Sequence, residues 1–151
     1  MKKVYKLVIH DYRYPVGVYR SLTVDSISTL LLNYEVNKIT TAFPGSLGIA
    51  TFKDLGSIRD FLRFRNLDYS TLLEAETIAK PRRITKILKY NMDRNNPIFF
   101  KKFYKSRSKK GFPIVSPPAG TLFYDEILVT KDLGIVSGIV NPPEPNFTIK
   151  F

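Results

Sequence analysis

The 151-residue chain has no cysteine, no tryptophan and a single histidine, His10. Without cysteine there is no disulfide, no thiolate nucleophile and no cysteine-ligated metal. One histidine also excludes a two-histidine phosphoesterase and a multi-histidine metal centre. No apolar run approaches the roughly 20 residues that cross a bilayer, so no membrane contact is expected. The opening MKKVYKLVIHDYRYP has the basic start of a signal peptide, but its apolar run stops at His10 and Asp11 and no small-residue cleavage site follows. It reads as a first strand, and the expected location is cytoplasmic. Pro44-Gly45-Ser46-Leu47-Gly48 lacks the Gly-Lys-Ser/Thr ending of a phosphate loop and opens onto a strand, so a hairpin-type turn is expected there. Nothing in the sequence asks for a cofactor or a metal.

Acidic residues are missing from one long stretch. Lys80 to Lys110 carries twelve basic residues and one acid, Asp93, while the remainder is balanced; the net charge of +11 therefore belongs to this segment alone. Such a segment must meet an anionic partner or stay in water. Its cations are interleaved with Phe99, Phe100, Phe103 and Tyr104. Cations that neutralise phosphates, beside rings that stack on bases, suit single-stranded nucleic acid. The expected phosphate contacts are Lys101, Lys102, Lys105, Arg107, Lys109 and Lys110, with Arg82, Arg83 and Lys86 extending the footprint and Phe103 and Tyr104 stacking or bracing the loop. The competing uses of the same charge are an acidic protein surface as partner and a solvated loop that serves solubility.

The length suits one domain, residues 1–151, with a basic and partly mobile insertion at 80–111 and a Pro-rich tail at 141–151. Strands are expected at Val4–Ile9, Val18–Val24, Ile39–Phe43, Gly48–Phe52, Thr71–Ile78, Thr121–Val129 and Ile135–Val140. Asp25 or Ser26 could start a helical turn, or the strand could run on. The clearest helix spans about 55–65, with Asp54 as N-cap and Leu55, Ile58, Phe61 and Leu62 on one face. Ile84, Ile87 and Leu88 could anchor a helical turn or a strand, and residues 106–111, without an apolar side chain, are expected to be mobile. The sum is an α+β class: a mostly antiparallel sheet of short strands, one main helix and a basic insertion between two sheet strands.

Four pieces in order, KVYKLV, NYEVNKITTAFPGSLGIATFKDLGSIRDFL, LLEAETIA and PPAGTLFYDEILVTKDL, resemble a group of small α+β proteins encoded by bacteriophages and prophages, for which no activity is established. The resemblance covers turns and core positions and not the basic stretch. It implies an α+β fold and a phage origin, with a host cytoplasm or a virion as location, and a host protein or a minor virion component as an alternative setting for the interaction. A second, narrower likeness rests on Glu74 and Glu76 on one strand, after Arg20-Ser21 and the Ser46–Thr51 region. That order is similar to arginine-specific ADP-ribosyltransferases. The likeness implies that Arg20 holds a nicotinamide dinucleotide and Glu76 supports attack on its ribose; the Ser-Thr-Ser triplet of that pattern is missing. His10 beside Asp11 invites a general-base reading, against that of an ordinary strand-end turn. The reading favoured by the residues is a non-enzymatic basic protein that contacts an anionic partner, nucleic acid first.

Overall fold

The structure is a computed structural model that describes residues 2–10, 15–21, 32–44, 46–63, 65, 67, 69–88, 102, 103, 105–112 and 114–140. The expected turn at Asp25 or Ser26, and the 141–151 tail, lie outside them. The described part is a mostly antiparallel sheet with one principal helix, α1 (Leu55–Leu62). Its strands are β1 (Lys2–Ile9), β2 (Tyr19–Ser21), β3 (Asn33–Tyr34), β4 (Ile39–Thr41), β5 (Ile49–Phe52), β6 (Thr71–Thr77), β9 (Thr121–Tyr124) and β10 (Glu126–Ile135). A separate pair, β7 (Ile87–Leu88) with β8 (Ile114–Val115), lies in the basic segment.

The strand path closes on itself. β9 pairs β5, β5 pairs β1, β1 pairs β6 and β6 pairs β10. Only Asp125 separates β9 from β10. One bent run of chain thus supplies both ends of the path, and the sheet must curl around whatever lies between. β2 and β3 extend from the C-terminal end of β1, and β4 flanks the start of β10.

Strand alternation sorts side chains between the two faces. Val4 and Val8 of β1, opposite Ala75 and Thr71 of β6, look to the enclosed face, where Tyr34, Ile49, Leu73, Tyr124, Ile127 and Val129 join them in one buried cluster. Leu7 and Leu72 look outward and pack with Phe52, Ile58, Leu62 and Val136 beneath α1. Burying a side chain of this size stabilises by roughly 1.5–3 kcal/mol, so both faces of the sheet contribute to the core.

The α1 helix starts where its cap residue predicts. Asp54 is extended (φ −158°, ψ 169°) and its carboxylate accepts from the Ser57 amide at 2.7 Å and the Ser57 hydroxyl at 2.8 Å. Those bonds hold the Asp54 carboxyl below its ordinary pKa, the amide contributing most. Ile58 and Leu62 are buried, and Phe61 stacks obliquely on Phe52 with centroids 5.2 Å apart. The helix gives out at Arg63, whose amide reaches back to Asp60 in a tightened last turn.

Three expected elements differ. The alternation over Thr121–Val129 reads as one strand but is broken at Asp125, because its halves pair with different neighbours. No strand spans Ile135–Val140: β10 ends at Ile135, and Ser137–Val140 is a helical turn, α2. Beyond Val129, two bulges carry Lys131, Asp132 and Gly134 into a long β10, with Gly134 at φ 91°. The Pro44 turn joins β4 to β5, which are not paired with each other, so it is a crossing connection rather than a hairpin.

The Pro117-Pro118-Ala119-Gly120 turn is stapled to the helix start. The Gly120 carbonyl accepts from the Lys53 amide at 2.9 Å, and the Pro118 carbonyl accepts from the Thr121 amide at 3.1 Å and its hydroxyl at 2.6 Å. Gly120 has φ +80°, and a Cβ there would fall 2.0 Å from Ser57 Oγ. Gly120→Ala is therefore expected to destabilise by about 1–3 kcal/mol through strain and displacement of Ser57. Urea unfolding checks it: Gly120→Ala combined with Ser57→Gly should recover part of the loss, and an unchanged midpoint in the single variant would show the contact to be soft.

Candidate nucleic-acid interface

The basic segment leaves the sheet after β6 and is fixed to it by Arg82. The Arg82 amide donates to the Phe123 carbonyl at 2.8 Å, forming an isolated bridge to β9. Its guanidinium donates to the Ser46 carbonyl at 2.5 Å and pairs with Asp125 Oδ1 at 2.8 Å. One side chain thus joins the start of the segment, the β4–β5 connection and the bend between β9 and β10. Arg82, expected at the edge of a phosphate footprint, has its donors directed at the fold; the side chain is 43 % exposed, so the pair belongs to the surface class that contributes little by Coulomb attraction.

Beyond this tether, β7 pairs β8 through Ile87↔Val115 and Leu88↔Ile114. Of the two outcomes open for Ile87 and Leu88, the strand is the one formed. The far limb begins with helical residues Lys102, Phe103 and Lys105. The Ser106 amide bonds the Lys102 carbonyl at 3.1 Å. Phe103 is fully buried and meets Phe112 edge-on at 5.4 Å. It has no face left for a base, so of its two expected roles the packing supports bracing. Lys109 also turns inward: its ammonium sits 4.3 Å from the Phe103 ring centroid and donates to the Phe103 and Ser106 carbonyls. That arrangement caps the helical residues with a cation, as carbonyl ends favour.

The remaining described cations of the expected footprint, Arg83, Lys86, Lys102, Lys105, Arg107 and Lys110, are exposed. Among the described residues none of the six forms an ion pair. Lys101 and Tyr104 lie outside the described residues, as do Phe99, Phe100, Lys89 and Arg94.

The other sequence candidates separate. Arg20 lies opposite Ile9 and Glu76 opposite Lys3, at the two ends of β1. Six strand residues apart is about 20 Å, so one dinucleotide-ribose site does not gather both. Glu74 pairs with Lys3 at 3.3 Å on the outer face. His10 is exposed and packs edge-on to Tyr19 at 6.0 Å, while Asp11 is outside the described residues. The Tyr19 hydroxyl donates to Asp132; burial first, and then that bond, raise its pKa to about 12. Among the described residues no group of three acids or histidines could hold a metal, and no helix is long and apolar enough to cross a membrane.

Sequence reasoning missed Lys6. It sits in β1 between Val4 and Val8, and its ammonium donates to the Ala50 carbonyl at 2.8 Å and faces the Tyr34 ring at 5.6 Å. The alternation Val4-x-Lys6-x-Val8 was the signal that a cation points to the enclosed face.

The tether generates a coupling test. Arg82→Ala and Asp125→Ala should each destabilise by about 0.5–1 kcal/mol, and the double variant by less than their sum. Amide exchange at 83–88 should quicken in Arg82→Ala while the β1 and β6 amides keep their protection. Strict additivity in the double variant would show that the ion pair contributes nothing to stability.

No family model matches the chain, and no curated protein or solved structure matches it either.

Proposed function

We propose that the protein is a non-enzymatic, basic nucleic-acid-binding domain that contacts phosphates through the 80–110 segment. The observation that carries this reading is the division of labour among the cations. Arg82 and Lys109 are consumed in fixing the segment. Arg83, Lys86, Lys102, Lys105, Arg107 and Lys110 remain exposed, with no carboxylate paired to them among the described residues. A cluster of outward, uncompensated cations on an anchored segment suits a polyanion with closely spaced charges, as a nucleic-acid backbone has. With Phe103 buried, the interaction rests on phosphates, which position a protein without reading sequence.

The test is fluorescence anisotropy with labelled single- and double-stranded DNA and RNA across a salt series. If all six outward cations reach phosphates, the log–log slope of affinity on salt should be about −4 on single strands and about −5 on duplex. Changing the six to Ser should abolish most of the slope. Arg82→Ala should weaken binding more modestly, by loosening the segment. Sequence-scrambled probes should bind alike. Absence of binding to all four nucleic acids would overturn the reading, and salt-sensitive capture of an acidic protein in its place would assign the same cations to a protein partner.

A further inference from the structure

The rings of the basic segment bear on which nucleic acid it takes. Proteins that favour single strands stack bases on open aromatic faces. Among the described residues of the segment, Phe103 offers no such face: it is fully buried, with Phe112 edge-on at 5.4 Å and the Lys109 ammonium 4.3 Å from its centroid. Phe112 is itself half-buried. What these residues leave for binding is phosphate contact, made by the exposed Arg83, Lys86, Lys102, Lys105, Arg107 and Lys110.

Phosphate contact without stacking favours a duplex. A duplex carries one charge per roughly 1.7 Å of axis and a single strand one per roughly 3.4 Å, so each neutralised phosphate steepens the log–log slope by about 0.9 on a duplex against about 0.7 on a single strand. Over six contacts the two slopes differ by about 1.2. From equal affinities at about 1 M salt, that difference makes the duplex roughly tenfold tighter at about 0.15 M.

The segment also has a shape. Among the described residues β7 and β8 pair with each other alone, as an antiparallel ribbon separate from the main sheet. Arg83 and Lys86 precede it at the Ile87↔Val115 end. The connection that carries Lys102, Lys105, Arg107 and Lys110 leaves and returns at the Leu88↔Ile114 end. Cations therefore flank the ribbon on both sides in the chain, and Val115 on it is 39 % exposed. A two-stranded ribbon is an element that the major groove of B-form DNA, about 12 Å wide, admits. The major groove of A-form RNA is too deep and narrow for side chains to enter.

We propose that the ligand of the basic segment is B-form duplex DNA, with the β7–β8 ribbon seated at the major groove and the two groups of cations on the phosphate rows that border it. The proposal rests on the nucleic-acid reading above and narrows it. Ile87, Ile114 and Val115 carry no hydrogen-bonding side chain, so the ribbon occupies the groove without reading base edges. That agrees with equal binding of scrambled probes.

The test is competition by the full chain at about 0.15 M salt. Unlabelled duplex DNA, single-stranded DNA and duplex RNA of one sequence each displace the protein from a labelled DNA duplex. Duplex DNA should compete at least about tenfold better than the other two. Netropsin, which fills the minor groove, should leave the complex intact, and methyl green, which sits in the major groove, should be released as the protein binds. Equal or better competition by single strands or by duplex RNA overturns the proposal, and so does displacement by netropsin with methyl green retained. A chain that binds no nucleic acid overturns the broader reading as well, so the two failures are told apart by whether the labelled duplex is bound at all.

Discussion

The fold depends on a break in one run of chain. β9 and β10 are continuous but for Asp125, and they pair with β5 and with β6, two different neighbours of β1. If the run continued straight, as its alternation suggests, β5 and β6 could not both find it, and the cluster of Tyr34, Ile49, Tyr124, Ile127 and Val129 would lack its enclosing wall. The bend is held from two sides. The Asp125 carbonyl accepts from the Ala42 amide at 2.7 Å, and its carboxylate pairs with Arg82. Closure in turn gives α1 a curved outer face on which Ile58 and Leu62 bury.

The tether makes Arg82 more than one charge among twelve. The segment that carries the chain's entire net charge is joined to the residue at which the sheet bends. A cation cluster on an untethered loop would lose rotational and backbone freedom on meeting a polyanion, and that loss subtracts from affinity. Fixing the near limb to the sheet through Arg82, and ordering the far limb internally around buried Phe103, meets part of that loss during folding. The same fixing consumes two cations, so counting charges overstates the number available to phosphate.

What could be read from sequence follows the range of the interaction. Asp54, Leu55, Ile58, Phe61 and Leu62 declare α1 because cap and face are set within one helix. Thr71–Thr77 was equally legible, with Leu72 and Leu73 facing opposite cores. The break at Asp125 was not, since Thr121–Val129 alternates throughout and the cause lies in partners more than 40 residues away. Lys131, Asp132 and Gly134 carry the composition of a turn, and only the register with β6 turns them into bulges. In the candidate interface, segregation of charge was plain, but charge does not say where an arginine points. Arg82 and Lys109 were indistinguishable from Arg83 and Lys110 until Ser46, Asp125 and the Phe103 carbonyl supplied acceptors.

The exposed lysines and Lys6 mark two opposite uses of one side chain. Lys102, Lys105 and Lys110 remain in water, where an ammonium keeps its charge and acts at a distance on other charges. Lys6 has given up most of its hydration for one carbonyl and one ring, and a desolvated ammonium sheds its proton more readily. The outer lysines are suited to a partner recognised by field, and their contribution weakens with salt. Lys6 is suited to holding strands together: its ammonium bonds the Ala50 carbonyl of β5 and faces the Tyr34 ring of β3, contacts that do not depend on a distant charge.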